Sequence, residues 1–306
     1  MVRTVRVDAD AVAERIDRVL ARALASETSR TQLQRLIREG RVQCNGRPVT
    51  SRTLVRPGQT IIVEFPPPTP PEGVLPEPMP LEILYEDDAL LLVNKPAGLT
   101  VHPGAGRAHG TLVHGLLAYT QHLSQVAGPT KLGLVHRLDK DTSGIMVVAK
   151  DDATHRALAR QFADRTVRRT YLALVDGAIV REQGTIRARL ARHPVHRQRI
   201  AVQPEGRGRE AITHYRVLRR LPGMTVVELK PETGRTHQLR VHLAHLGHPI
   251  LGDPHYGPRG PGRAGVVLPR QALHALRLGF VHPATGEAVE FTAPAPADLA
   301  AYLRSR

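Results

Sequence analysis

The chain has 306 residues, a hydrophobic content of 41% and a net charge of +15. This length is enough for one catalytic domain of ordinary size with a small additional module. Its apolar runs are shorter than the ~20 residues of a membrane-spanning helix. Residues 1–10 lack the apolar core of a signal peptide, so we expect a cytoplasmic protein without a membrane partner. The single cysteine, Cys44, excludes an intramolecular disulfide and a cysteine zinc cluster.

The positive charge indicates a polyanionic partner, of which nucleic acid is the commonest. Only five of the 43 Lys and Arg residues are lysine. Arginine makes bidentate phosphate contacts and stacks on bases, which suits RNA recognition. A genomic composition bias is an open alternative for the ratio of Arg to Lys, but it explains the net charge less well.

The first 65 residues predict a small α/β module. Apolar residues at helical spacing predict a helix over 16–24. Cap residues predict a second helix from Ser29 to Gly40. A hairpin that turns at Asn45-Gly46 and a strand over 60–65 follow. Arginines surround the second helix and the hairpin.

The segments SRTQLQRLIREGRVQCNGRPV and VRPGQTIIVEF resemble an S4-type RNA-binding module, and the resemblance covers residues 13–65. It implies contact with RNA without specifying a chemistry. The candidate RNA-binding residues here are Arg30, Arg35, Arg38 and Arg41. A small α/β domain with a solvated basic face is the alternative.

Eight prolines fall between residues 66 and 80, and such a segment predicts an extended spacer because proline supports neither a helix interior nor a sheet ladder. Residues 81–306 then form the large module. Its pattern predicts strands over 81–85, 90–93, 145–149, 171–175 and 224–229, a helix capped by Asp151 or Asp152, and a helix capped by Thr236 and ending at Gly247. We therefore predict an α+β fold around a mixed, mostly antiparallel central sheet.

The densest polar segment is GLVHRLDKDTSGIMVVAK, residues 133–150. Asp139 lies there in a connection between two strand-like stretches. Positive neighbours favour its ionised form, and an ionised, positioned carboxylate can act as nucleophile, base or metal ligand. A simple turn is the alternative, because Asp-Thr-Ser-Gly is typical turn chemistry.

The sequence HRLDKDTSG resembles the signature of the RluA-type pseudouridine synthases. The resemblance is greatest to the D type of the synthases that modify large ribosomal RNA, which also begins with an S4 module. Further segments with the same resemblance are NKPAGLTVHP, RTYLALV, KPETGRTHQLRVHLAHLGHPILGDPHYG and RQALHALRLGFVHPATGE. Together they cover about residues 81–290 in the order that the family has.

The resemblance implies three catalytic residues. Asp139 would act at the junction of ribose and base, Tyr171 would pack on the target uracil, and Arg235 would pair with Asp139. Arg137 would fill the space that a flipped base leaves. From the residues alone, Tyr171 could also be ordinary strand packing and Arg235 a phosphate contact.

Residues 181–220 hold 11 arginines and three acidic residues. Within them HPVHRQRIAVQPEGRGRE predicts a basic hairpin or loop that grips RNA, with Arg197 and Arg199 as candidate contacts; a solvated face is the alternative. The histidines at 237, 242, 245 and 248 lie close together in sequence, but interleaved arginines and the lack of a metal-binding motif argue against a metal.

We therefore predict a monomeric RNA pseudouridine synthase that acts on structured RNA, foremost ribosomal RNA, and needs neither cofactor nor metal. A non-catalytic RNA-binding assembly factor on the same scaffold is one alternative. A transfer RNA synthase of the same family is another, and a metal-dependent hydrolase is a third.

Overall fold

The computed structural model describes residues 2–8, 12–24, 28, 30–65, 74–104, 107–196, 199–258 and 260–304. The chain divides into two compact units. Unit 1 is Met1–Val74 with Gln125–Leu132, and unit 2 is Leu75–Ser124 with Gly133–Arg306. Residues 66–73 of the predicted spacer lie outside the described residues. No helix within the described ranges is long and apolar enough to cross a membrane.

Unit 1 contains two short helices and small antiparallel sheets. Its elements are β1 (Val2–Arg6), β2 (Glu14–Arg15), α1 (Ile16–Ala23), α2 (Arg30–Arg38), β3 (Val42–Cys44), β4 (Arg47–Pro48), β5 (Leu54–Val55) and β6 (Thr60–Glu64). One sheet has the order β1-β6-β3-β4, and β2 pairs with β5. The apolar faces of both helices and of the sheet meet in one core, in which Ile16, Leu20 and Leu33 are fully buried.

The predicted elements of unit 1 are present. Asn45 and Gly46 both have positive φ, 49° and 75°, as a two-residue hairpin turn requires. Gly40 follows α2 with φ 72°. Ser29, the predicted cap of α2, lies outside the described residues. The N-terminal strand β1, which the sequence analysis did not predict, pairs with β6 along its whole length.

Unit 2 is built on a large sheet. Its elements are β7 (Glu82–Glu86), β8 (Leu90–Lys95), α3 (Leu112–Tyr119), β9 (Ser143–Ala149), α4 (Asp152–Ala163), β10 (Arg168–Asp176), β11 (Gln183–Arg192), β12 (Ile200–Gln203), β13 (Arg209–Leu221), β14 (Met224–Pro231), α5 (Gln238–His245), β15 (Leu273–Val281), β16 (Ala288–Thr292) and α6 (Ala297–Arg304).

The sheet has ten strands in the order β12-β11-β13-β14-β10-β15-β9-β8-β7, with β16 added on β15. All pairs are antiparallel except β9 with β15, which is parallel. The α+β class and the mixed, mostly antiparallel sheet are thus confirmed. Every residue of β9 is buried, which explains its continuous apolar sequence because a strand covered on both faces does not alternate.

Gly144 is required where β9 meets β15. Its φ is +120°, and an added Cβ would lie 2.6 Å from the backbone nitrogen of Ala275. Only glycine adopts this conformation freely and allows such a close approach. The polar connection over 135–142, which contains Asp139, is therefore anchored at its C-terminal end against the centre of the sheet.

One predicted helix start is wrong. Helix α5 begins at Gln238 and not after Thr236, and its N-cap residue is His237, with a left-handed φ of 53°. The preceding turn is closed by the side chain of Gln238, whose Oε1 accepts hydrogen bonds from the Arg235 backbone and the Thr233 hydroxyl. The other predicted cap is correct, because Asp151 accepts from the backbone of Thr154 at 2.8 Å.

Candidate active site

Asp139 lies between two cavities of unit 2. The larger cavity has a volume of about 420 Å³ and is lined by Arg137, Asp139, Tyr171 and Arg235, among others. The smaller one, about 290 Å³, is also lined by Asp139 and includes His102. The Asp139 side chain is 20% exposed, so the carboxylate is fixed in the protein but accessible from the cavities.

The carboxylate of Asp139 pairs with Arg240 of helix α5. Arg240 Nη1 donates to Asp139 Oδ2 at 3.0 Å. The same guanidinium donates from Nε and Nη2 to both oxygens of Asp253, at 2.6 and 2.8 Å. Arg240 and Asp253 are buried, and a bidentate pair of this kind fixes the plane of the guanidinium. Arg240 therefore holds the Asp139 carboxylate in one orientation.

Hydrogen bonds and neighbouring charges favour the ionised forms of Arg240 and Asp253. Burial alone would lower the pKa of Arg240, but hydrogen bonds and the charges of Asp253 and Asp139 raise it above its usual range. Burial alone would likewise raise the pKa of Asp253, but Arg240 lowers it. Since a buried charge needs a partner, Arg240 and Asp253 stabilise each other's charged forms.

The predicted pair between Arg235 and Asp139 is wrong, because the partner of Asp139 is Arg240. Arg235 Nε donates to the backbone carbonyl of Glu210 at 3.3 Å, and the side chain lines the larger cavity. The reason is the start of helix α5. Arg235 precedes the left-handed His237, whereas Arg240 lies inside the helix on its buried side.

A further group beside Asp139 is His237. Its Nε2 lies 3.9 Å from Asp139 Oδ2, and its Nδ1 shares a hydrogen bond with the Tyr256 hydroxyl at 2.9 Å. Burial lowers the pKa of His237. The neutral ring is thus held near the carboxylate by Tyr256, whose own ring lies under the Arg240 guanidinium, 5.2 Å from it.

Tyr171 lies on β10 and faces the larger cavity. The pairing of β10 with β15 shifts between Thr170 and Tyr171, and such a bulge re-aims a side chain. Burial raises the pKa of Tyr171, so the phenol is neutral. The aromatic ring can therefore offer a stacking surface in the cavity that contains Asp139.

Two basic side chains donate hydrogen bonds to backbone carbonyls of the loop that contains Asp139. Lys95 at the end of β8 is fully buried and its Nζ donates to the carbonyls of Pro96, Leu99 and Lys140 at 2.7–2.9 Å. Arg270 Nη1 donates to the carbonyl of Asp141 at 3.1 Å. The predicted turn is also present, since the Thr142 backbone donates to the Asp139 carbonyl. A turn and a functional carboxylate are thus compatible here.

His136 braces the start of the same loop. Its Nε2 accepts from the backbone of Val147 at 3.0 Å, and its ring stacks on Phe162 with 4.8 Å between centroids. Burial, with a smaller effect of the Arg169 charge, lowers the pKa of His136 to about 3. The neutral ring is therefore part of the folded structure.

We predict that His136 contributes to acid destabilisation. In the unfolded chain a histidine has a pKa of about 6.5, so between pH 6.5 and about 3 the unfolded state binds more protons than the folded state. Stability from the neutral ring is complete above pH 6.5 and is lost as the pH falls through that window. In urea unfolding from pH 7 to 4, His136→Gln should show a flatter loss of stability than wild type, since glutamine can accept from Val147 without titrating. The exposed His122→Gln variant should keep the wild-type slope.

The predicted RNA contacts are placed as follows. Arg137 is exposed and lines both cavities. Arg35 and Arg41 pair with Glu39 and Glu64, and Arg38 donates to a carbonyl of its own helix. The side chain of Arg30 and the whole of Arg197 lie outside the described residues. Arg199 is half-buried at the start of β12. Their contacts with RNA remain predictions.

The roles of Arg240, Asp253 and Lys95 were not predicted from the sequence. A usable signal existed for Arg240, which stands in HQLRVHLAH among Leu239, Val241 and Leu243, all buried. An arginine at such a position must find an acidic partner. No comparable signal marks Asp253 or Lys95, although Arg240 is 13 residues from Asp253 and two of the three carbonyls that accept from Lys95 are within four residues of it.

Comparison with known proteins agrees with this site. The family model described as RNA pseudouridylate synthase matches residues 89–245, and the S4 domain model matches residues 14–61. YlyB of Bacillus subtilis (strain 168), an uncharacterized RNA pseudouridine synthase, is 46% identical over 292 residues, which are 95% of this chain and 94% of that protein.

Ribosomal large subunit pseudouridine synthase D of Zymomonas mobilis subsp. mobilis is 44% identical, covering 93% of this chain and 91% of that protein. Among solved structures, human RNA pseudouridylate synthase domain containing 1 has a TM-score of 0.58 and 32% identity, covering 71% of this chain and 84% of that one. The chain belongs to the RNA pseudouridylate synthase family, with an S4 domain in unit 1, and it is an isomerase.

Proposed function

We propose that this enzyme isomerises specific uridines of large-subunit ribosomal RNA to pseudouridine, with Asp139 as its catalytic carboxylate. The observation that supports the carboxylate is its place between two cavities, fixed by Arg240 at 3.0 Å and 20% exposed. The names of the relatives support ribosomal RNA as the substrate, since several are ribosomal large subunit synthases at 44–46% identity.

The reaction needs a positioned carboxylate and no cofactor. The bond between N1 of uracil and C1′ of ribose breaks, the base turns, and a bond forms between C5 and C1′. The proton on C5 is lost and N1 gains one, so atoms and electrons balance without an external reagent. We propose that Asp139 acts at C1′, where positive charge develops as the base departs.

The target base must leave the RNA stack to reach Asp139, and extrusion costs a few kcal/mol. Stacking on an aromatic ring returns about 1–3 kcal/mol per base, and Tyr171 offers such a ring in the larger cavity. The cavity volume of about 420 Å³ lies in the usual range of small-molecule sites.

Arg137, exposed beside the cavity, would fill the space that the flipped base leaves in the RNA. Arg235, which does not pair with Asp139, would contact phosphate.

The basic segment (193–210) would bind the RNA backbone. It contains β12, which pairs antiparallel with β11 at the edge of the sheet, and the first two residues of β13. Arg207 is exposed in the turn between β12 and β13, and Arg209 is exposed at the first position of β13. Exposed guanidinium groups can reach phosphates without desolvation of a paired acid.

We predict that this segment contributes to the salt dependence of RNA binding. The double variant Arg207→Gln/Arg209→Gln should make the slope of log affinity against log salt less steep by about 1.4–1.8, because each lost phosphate contact removes about 0.7–0.9. The matched control is Arg156→Gln/Arg160→Gln on α4, where both residues are exposed; it should keep the wild-type slope. A filter-binding titration at several salt concentrations measures both. Equal slopes for the two double variants would show that the segment does not bind phosphate.

The substrate is tested by mapping pseudouridine at single-nucleotide resolution in total RNA from a deletion strain. We expect particular uridines of large-subunit ribosomal RNA to lose the modification and to regain it on complementation with the wild-type gene. Loss only in transfer RNA would identify the other substrate class. If no position changes and the purified protein binds RNA without modifying it, the chain is an RNA-binding factor instead.

A further inference from the structure

Three potential metal ligands cluster in unit 2, apart from the residues that line the Asp139 cavities. They are Glu77 in the segment before β7, His109, and His114 in helix α3. His109 Nδ1 lies 2.9 Å from Glu77 Oε1, and His114 Nε2 lies 3.6 Å from the same oxygen. One donor atom from each of the three side chains lies within 4.8 Å of the others.

His114 gives the cluster a buried ligand, whose Nδ1 also completes the capping box of α3 with the Thr111 backbone at 3.4 Å. The residue is 0% exposed, and its Nε2 has no hydrogen-bond partner. Its Nδ1 lies 2.7 Å from the hydroxyl of Thr111. A buried ring nitrogen without a partner is unfavourable, and native structures rarely leave one without a reason. A ligand between His114 and Glu77 would supply the missing partner.

We propose that Glu77, His109 and His114 bind one divalent cation of the zinc class. Two imidazole nitrogens and one carboxylate oxygen are a ligand set that zinc accepts, with solvent as the fourth ligand. At bond lengths of about 2.0–2.1 Å, tetrahedral ligands lie about 3.3 Å apart. The observed separations of 2.9 and 3.6 Å from Glu77 Oε1 bracket that value. The nitrogen donors disfavour magnesium and calcium, which prefer oxygen.

The ligands are already held in place by the surrounding backbone. The Glu77 backbone donates to the carbonyl of His114 at 3.1 Å, and the backbone of Gly110 donates to Glu77 Oε2 at 2.9 Å. Coordination through Nε2 uses the tautomer in which His114 Nδ1 donates to the Thr111 hydroxyl at 2.7 Å and gives up the longer bond of 3.4 Å from the Thr111 backbone. An outer partner of this kind commonly fixes the tautomer of a zinc-bound histidine. The metal would fasten the segment that begins unit 2 to the start of α3. The site is independent of the proposed function, and the sequence analysis did not predict it.

The test is a calorimetric titration of Zn²⁺ into the full chain, without an affinity tag and after removal of metal with a chelator. We expect one bound zinc per chain and a higher melting temperature with zinc. His109→Ala and Glu77→Gln should each weaken the affinity at least tenfold and remove the thermal shift. His109 has a 73% exposed side chain, so its replacement should leave the fold intact, which circular dichroism without zinc would verify.

The matched control is His196→Ala. His196 is exposed and its ring lies 5.0 Å from that of His193, a second histidine pair that could attract zinc. This variant should bind one zinc with wild-type affinity. If wild type binds no zinc, or if binding is lost in His196→Ala but kept in His109→Ala, the proposed site is overturned.

Discussion

Replacement of Asp139 by asparagine should abolish isomerisation while the protein still folds and binds RNA. Asparagine has the same shape, and its amide oxygen can still accept from Arg240 Nη1, now 3.0 Å from the carboxylate. What is lost is the negative charge that acts at C1′. Removal of a principal catalytic group lowers kcat by a factor on the order of 10⁴. Tritium release from RNA labelled at C5 of uridine measures the reaction directly, because the C5 hydrogen leaves in each turnover.

The matched control for this variant is Asp141→Asn. Asp141 stands two residues further along the same loop, and the structure uses its backbone carbonyl, which accepts from Arg270. The asparagine variant should keep its turnover within about tenfold of wild type. If the two variants had comparable turnover, whether both were active or both inactive, Asp139 would lose its proposed role. RNA affinity measured alongside separates a loss of chemistry from a loss of binding.

Much of the fold was predictable because its signals are local. The Asn45-Gly46 turn, the apolar run of β9 and the Asp151 cap are each encoded within a few residues. The basic segment was also visible as a run of arginines. The predicted hairpin is present, because β12 pairs antiparallel with the preceding strand β11 at the edge of the sheet.

The site was predictable only in part because its geometry is tertiary. Asp139 stands in a local motif, and the order of the motifs places it near the segment around residue 240. Which arginine reaches it depends on where α5 begins, and that depends on the left-handed His237 and on the side-chain contacts of Gln238. The sequence favoured Thr236 as the cap, and the family resemblance implied Arg235, just before that cap, as the partner of Asp139.

Replacement of Arg240 by methionine should reduce both stability and activity. The variant leaves Asp253 without its bidentate partner, and the Asp253 side chain is 0% exposed. Removal of one partner of a buried ion pair costs about 3–5 kcal/mol. Asp139 also loses the group that orients it, and misplacement of a reacting group by about 1 Å can lower the rate on the order of 10². Urea unfolding and tritium release measure the two effects.

Arg235→Met is the matched control, because both arginines lie on the same cavity. The side chain of Arg235 makes a long hydrogen bond of 3.3 Å to the Glu210 carbonyl, so its loss should change stability by only about 1 kcal/mol. We expect this variant to weaken RNA binding more than turnover. If Arg235→Met instead lost turnover as severely as Arg240→Met, with stability unchanged, Arg235 would have a catalytic role that its contacts do not indicate.

The pH dependence identifies Asp253 as the origin of the instability of Arg240→Met. In wild type, Arg240 lowers the pKa of Asp253, so that carboxylate contributes stability which is lost as the pH falls. Without Arg240, burial is opposed only by the backbone hydrogen bonds from His255 and Tyr256, so the folded-state pKa of Asp253 rises and the variant loses less stability as the pH falls. The difference between wild type and Arg240→Met should therefore shrink as the pH falls through about 3.9, the unfolded-state pKa of an aspartate. In the double variant Arg240→Met/Asp253→Asn, the destabilisation should be smaller than the sum of the single effects by about 0.5–3 kcal/mol, because the uncompensated charge is gone.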